Sequence, residues 1–304
     1  MHLVGDFDIM VYMYSAISQN KRNTILIMIV FVIIIGLLGF IASLYYENYS
    51  VGITVTVVAM IYALIQYFAA GKLAMAMTGA QEIQKRDAPE LWNAVENTAI
   101  TAGMPMPKVY IIQDPAPNAF ATGRDPHHAI VGVTTGLLDI MDKRELTAVI
   151  AHEMSHVRNY DIRVSMIAFG LVSAIGFLAD VVLRTMFYGS NNKDRNSNPI
   201  VLVVGLVVVI LAPILATITQ LAVSRQREYL ADASGMMLTR DAEGLASALE
   251  KLKMHGRPMQ KQSSSTANLF MNNPLKPSKL SKLFSTHPPL DDRIARLRDA
   301  ASRM

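Results

Sequence analysis

Four stretches of this sequence carry no charged side chain: Asn23 to Tyr46, Asn48 to Gly71, Val164 to Ala179 and Asn196 to Ser224. A helix rises about 1.5 Å per residue, so about 20 apolar residues cover the roughly 30 Å of hydrocarbon in a bilayer. The first, second and fourth stretches reach that length. The third is short and runs into Asp180 and Arg184, so it is expected to tilt, re-enter or lie at the interface. Core helices of a soluble protein would be the rival explanation, but 52% hydrophobic and 17% charged residues are unusual for a soluble chain. The first run is also longer than the roughly 7 to 15 apolar residues of a cleaved signal and has no clear processing site after it, so it reads as an anchor.

Basic residues set the expected orientation. Lys21 and Arg22 precede the first run, Lys72, Lys85 and Arg86 follow the second, and the intervening "ENYS" has none. The positive-inside rule then places the N-terminus and the region after Gly71 in the cytoplasm. The second apolar pair is less decisive, with arginines both on its flanks and in its connecting loop. The net charge of +4 fits basic residues beside anionic lipid. With no nucleic-acid motif present, the lipid bilayer is the expected partner and nucleic acid is not. The absence of cysteine excludes disulfides, thiol catalysis and cysteine-held metals, leaving His, Asp and Glu as metal ligands.

The chain thus divides into a tail (1–22), a transmembrane hairpin (23–71), a soluble stretch (72–163), a second hydrophobic pair (164–224) and a second soluble stretch (225–304). The two soluble stretches are expected to build one domain. In the first, "DAPELWNAVENTAITAGM" reads as a helix capped by Asp87 with Glu90 at the capping-box position. "KVYIIQ" (108–113) and "HAIVGVTTG" (128–136) have strand composition and flank the loop "DPAPNAFATGRDPH". Asp142 with Glu145 gives a second capping box, and no proline or glycine follows before Arg163, so the segment is expected to be helical through His152 and His156. Residues 257–284, rich in serine and lysine, read as a mobile, solvated loop.

The second helix carries "HEMSH" (152–156). Positions i and i+4 share a helix face, so His152 and His156 can both reach one ion. Glu153 then projects beside the position left for water, where it can take a proton. A polar helical patch is the plain alternative for five residues of this kind, and a third ligand is what separates the two. The residue six past His156, where the longer zinc-protease pattern has histidine, is Ile162. "EYLAD" (228–232) offers Glu228 as a third ligand, with Asp232 one turn on to accept a hydrogen bond from a ligating histidine. An acidic pair neutralised by Arg225 and Arg227 is the plain alternative there. A hairpin of the third and fourth apolar stretches would return the chain to its starting face and bring both motifs together at the membrane surface.

"NAFATG" (118–123), "HEMSH", "EYLAD" and "STHPPLDDRI" (285–294) follow one another in this order and, with the apolar hairpins before and between, span nearly the whole chain. In these motifs the sequence resembles the HtpX-type membrane zinc endopeptidases, relatives of the CAAX-prenyl proteases. The resemblance implies an α-helical membrane protein with a cytoplasmic α+β zincin (gluzincin-like) catalytic domain. It implies one Zn²⁺ per subunit on His152, His156 and Glu228, Glu153 as general base, and Asp232 as the acid behind a ligand. It also implies a multi-pass protein of the cell membrane that cleaves misfolded or damaged membrane proteins. Asn118, Ala119 and Phe120 would form the edge that receives a substrate strand. His287, in the histidine–proline motif, is expected either to stabilise the oxyanion or to support the following helix. Two rival functions remain at this point: cleavage of prenylated or lipid-modified C-termini, and a non-catalytic scaffold stabilised by zinc.

Overall fold

The computed structural model describes residues 6–45, 47–168, 225–261, 269–272 and 288–302. Two long helices open the chain, α1 (Asp6–Tyr45) and α2 (Tyr49–Thr78). Windows at Ile17–Leu37 and Tyr49–Ala69 are long and apolar enough to cross a membrane, and only 33% and 12% of them is buried. Core helices of a soluble protein would be mostly covered. Here Ile25, Ile29, Ile33, Phe40, Ile53 and Leu64 point outward, each at least half exposed. Both helices run past the expected hairpin limits. α1 already starts at Asp6, and the end of α2 enters the soluble part, where Ala74 and Met75 pack with Ile112, Phe120 and Phe270.

Small residues let α1 and α2 touch. A Cβ at Gly52 would sit 2.3 Å from the Gly39 carbonyl oxygen, and one at Gly39 would sit 2.8 Å from that of Gly52. Within lipid, such close approach is what holds two apolar helices together. Gly52→Val is therefore expected to separate the hairpin and lower the detergent-solubilised melting temperature, whereas Gly36→Val, in open space, leaves it unchanged. Equal melting of the two variants would contradict this contact.

The soluble part is a four-stranded sheet covered by helices. After β1 (Gln81–Glu82) come α3 (Pro89–Ala102), β2 (Lys108–Ile112), β3 (Ala119–Gly123), β4 (Ala129–Thr134), α4 (Thr135–Ile140) and α5 (Lys143–Arg158). Beyond the second apolar pair follow α6 (Arg225–Thr239), α7 (Ala242–His255) and α8 (Leu290–Ala301). The sheet order is β1-β2-β4-β3, with β2 parallel to β4 and the other pairs antiparallel. Leu146, Val149, Ile150 and Met154 of α5 meet Ala119, Val131 and Val133 of the sheet and Leu245 and Leu249 of α7 in one core. The two soluble stretches thus fold together around α5. The third and fourth apolar stretches lie outside the described residues, apart from 164–168.

Two local expectations change and a third holds. Asp87 does not cap α3; Ala88 is its N-cap, because the Asp87 carboxylate accepts instead from the Gln84 amide at 2.8 Å and closes the preceding turn. The loop before β4 contains a strand, since residues 119–123 pair fully with 129–133. The helix carrying the histidines runs through both of them, as the sequence indicates. It stops at Arg158, Tyr160 adopts a left-handed φ of 61°, and residues 161–168 resume as a separate helix.

Candidate metal centre

The capping box at Asp142 and Glu145 forms as the sequence indicates, with Asp142 accepting from the Glu145 amide at 2.8 Å and Glu145 accepting from the Asp142 amide at 2.9 Å. Glu145 also accepts from Ser247 at 2.6 Å and Lys251 at 2.5 Å, which locks the start of α5 to α7. Further along α5 the two histidines face α6. There is no room between the helices at Gly235, where a Cβ would lie 3.0 Å from the His152 amide nitrogen.

This close packing brings three donors together. His152 Nε2 lies 3.3 Å from His156 Nε2 and 3.7 Å from Glu228 Oε2, and His156 Nε2 lies 3.6 Å from Glu228 Oε1. Ligands at about 2.0 to 2.2 Å around a tetrahedral ion are separated by roughly 3.3 to 3.6 Å. The donor set and its spacing fit a divalent metal, and among the described residues this is the cluster of at least three such groups that can hold one.

The opposite ring nitrogens are engaged by acids. His152 Nδ1 lies 3.0 Å from Asp232 Oδ1, and His156 Nδ1 lies 2.9 Å from Asp161 Oδ2. Each imidazole can therefore donate from Nδ1 and keep its Nε2 lone pair for the ion, which fixes both tautomer and ring orientation. Arg293, fully buried on α8, donates to Asp232 at 2.9 Å from Nε and 2.6 Å from Nη2, and its Nη1 lies 3.2 Å from Glu228 Oε2. Burial opposes charge on Asp232, yet Arg293 and His152 hold its carboxyl below the usual range. Glu153, also buried, is shifted the other way: loss of solvent pushes its pKa up against the pull of the histidines. A carboxylate with raised proton affinity suits a group that must accept a proton and give it back.

For His156, burial lowers the pKa, but Asp161, Glu228 and Glu153 outweigh it and push the value up to about 9. The metal-free protein therefore holds a proton there at neutral pH, and a metal must displace it. Zinc uptake at pH 7 is expected to release about one proton, with affinity falling as pH drops further below 9. Calorimetry in buffers of different ionisation enthalpy measures that proton count, and a value near zero would contradict the assignment.

The structure brings together His152, Glu153, His156, Glu228 and Asp232 as the sequence indicates. His287 lies outside the described residues. Asn118, Ala119 and Phe120 are buried at the sheet edge, and the side of β3 away from β4 is met by the chain itself. Phe270 bridges to Phe120, the Met271 amide donates to the Ala119 carbonyl at 2.9 Å, and Asn118 both donates to the Asn272 carbonyl at 2.7 Å and accepts from its amide at 3.0 Å. Within the stretch read as a solvated loop, Met259, Phe270 and Met271 are buried. His127 and His128 form a short turn capped by Asp125. Two charged partners were not foreseen, Asp161 and Arg293. Arg293 had a signal: it occupies the apolar stripe Leu290, Ile294 and Leu297 of α8, and a cation at such a position needs buried acids.

Two imidazoles, a carboxylate from a second helix and a buried acid next to the first histidine define a metal-dependent peptidase. The chain belongs to peptidase family M48, whose model matches residues 85–301. Among relatives, the "Protease HtpX homolog" of Tropheryma whipplei (strain Twist) is 53% identical over 291 residues, covering 96% of this chain and 99% of that protein. That of Lactobacillus helveticus (strain DPC 4571) is 45% identical over 295 residues, covering 94% and 99%. Among solved structures, S. mikatae Ste24p is similar in fold, with a TM-score of 0.50 at 21% identity over 89% of this chain. The present chain spans 62% of that one.

Proposed function

We propose that this metallopeptidase is a multi-pass membrane zinc endopeptidase of the gluzincin type, with its active site on the cytoplasmic side and misfolded or damaged membrane proteins as substrates. The observation that carries the zinc reading is the tetrahedral spacing of His152, His156 and Glu228 with Glu153 buried beside them. The orientation is supported by the closeness of this site to the Lys21 and Arg22 end of α1: Asn20 touches Asn159 and Asp161, next to the metal-binding helix. Main-chain recognition supports a broad substrate range. A peptide on β3 would make the bonds to Asn118 and Ala119 that Phe270–Asn272 now make, and such pairing tolerates many side chains.

His152, His156 and Glu228 would hold the ion, and zinc when bound supplies Lewis-acid polarisation of the scissile carbonyl and acidifies the attacking water. Glu153 takes the proton from that water and delivers it to the leaving amine. Asp232 and Asp161 keep the two rings aimed, and Arg293 balances the negative charge of Asp232 and Glu228. A scaffold built on structural zinc would close the ion with four protein ligands. The cluster among the described residues has three.

The test is cleavage of unfolded casein by detergent-purified protein, before chelation, after it and after zinc return, with bound metal quantified. Cleavage that disappears with the metal and returns with zinc is expected. Cleavage untouched by complete metal removal would end the reading.

A further inference from the structure

We propose that Asn20, on the membrane helix α1, is a positioning residue for the metal centre: it holds Asp161 against His156, so that the anchor and a metal ligand form one hydrogen-bonded unit. Asn20 is 3% exposed on a helix otherwise dominated by apolar residues. A buried amide there is costly unless its hydrogens are used. Both are. Nδ2 donates to the Asn159 carbonyl at 2.9 Å and to Asp161 Oδ1 at 2.7 Å, while the other Asp161 oxygen, Oδ2, faces His156 Nδ1 at 2.9 Å.

The backbone explains why Asp161 needs such support. Five residues along an uninterrupted helix, Asp161 would project roughly 140° away from His156. The left-handed Tyr160 turns it back, and α1 grips both sides of that turn through Asn20. Lys21 Nζ also lies 5.2 Å from the centre of the Tyr160 ring. Arg227 Nη1 approaches Asp161 Oδ1 at 3.9 Å, a longer contact than the 2.7 Å hydrogen bond from Asn20. With one oxygen pinned by α1, the other is fixed as acceptor for the imidazole. His156 then presents Nε2 at one angle, and its basicity as a ligand is raised by the carboxylate.

The inference rests on the reading that His152, His156 and Glu228 hold the metal. The experiment is a zinc titration of full-length, metal-free protein in micelles against a competing chelator, repeated with Co²⁺ to record its visible absorption. Wild type, Asn20→Ala, Asp161→Asn, the double variant and His156→Ala are compared, with Asn20→Ser replacing the alanine variant should that one not fold. Asp161→Asn is expected to weaken zinc binding about 10- to 100-fold. Asn20→Ala should weaken it about 10-fold and shift the cobalt bands, and adding it to Asp161→Asn should cost nothing further. A substitution that merely loosened the hairpin would subtract equally in both backgrounds. Wild-type affinity and cobalt bands in Asn20→Ala, or additive losses in the double variant, would overturn the coupling. Unchanged zinc binding by His156→Ala would instead bring down the metal-centre reading itself.

Discussion

Glu153→Gln is expected to abolish measurable casein cleavage, a loss of about 100- to 10,000-fold, while zinc content stays at the wild-type level. The carboxyl group sits between the two histidines in sequence, is buried and has its proton affinity raised by lack of solvent. Glutamine keeps the volume and one acceptor oxygen but cannot carry a proton away from water. None of the three donors of the cluster is touched by the change. The paired measurement of rate and bound metal separates chemistry from assembly. Wild-type turnover in the zinc-loaded variant would remove Glu153 from the reaction, and loss of zinc together with activity would make it a structural acid.

Arg293→Met should produce the largest loss of stability of any single change at the site. The guanidinium is fully buried and lies within 2.6 to 3.2 Å of Asp232 and Glu228, so its removal takes away the cation that two buried acids share. Breaking a buried pair in this way costs about 3 to 5 kcal/mol. Zinc, which supplies positive charge beside Glu228, should restore part of the loss. The metal-free variant should therefore melt well below wild type and gain more from zinc than wild type does, as thermal unfolding with and without zinc would record. Arg293→Lys should fall between the two, because an ammonium can neutralise one carboxylate but lacks the planar fork that spans both. Melting of metal-free Arg293→Met at the wild-type temperature would show that the two acids do not need the cation.

Periodicity and spacing revealed the parts of the fold with a local cause. The capping box at Asp142, the strand composition of 108–113 and 128–136, and the i, i+4 pairs His152/His156 and Glu228/Asp232 are all properties of a few neighbouring residues, and the structure contains them. What escaped depends on distant partners. The strand 119–123 is short, contains Gly123 and follows two prolines, so its pairing with β4 had no composition to announce it. The break at Tyr160 is set by tertiary contacts, since Asn20 from another helix bonds to both sides of the turn. Asp161 and Asn20 were for that reason invisible as supports of His156. Arg293 was legible in principle, as a charge within an apolar stripe, but its acids lie on a helix far back in the chain.

That distance sets an order of events during synthesis. When α5 leaves the ribosome it already carries both imidazoles and the base, but the carboxylate ligand on α6 follows only after a second apolar pair has been made. The cation that balances that carboxylate arrives later still, on α8. Chains grow at about 5 to 20 residues per second, and a site divided in this way stays incomplete for seconds of that growth. Until α6 packs beside α5 the three donors and the buried acid are not together, so an unfinished chain that ends before α6 lacks the assembled cluster.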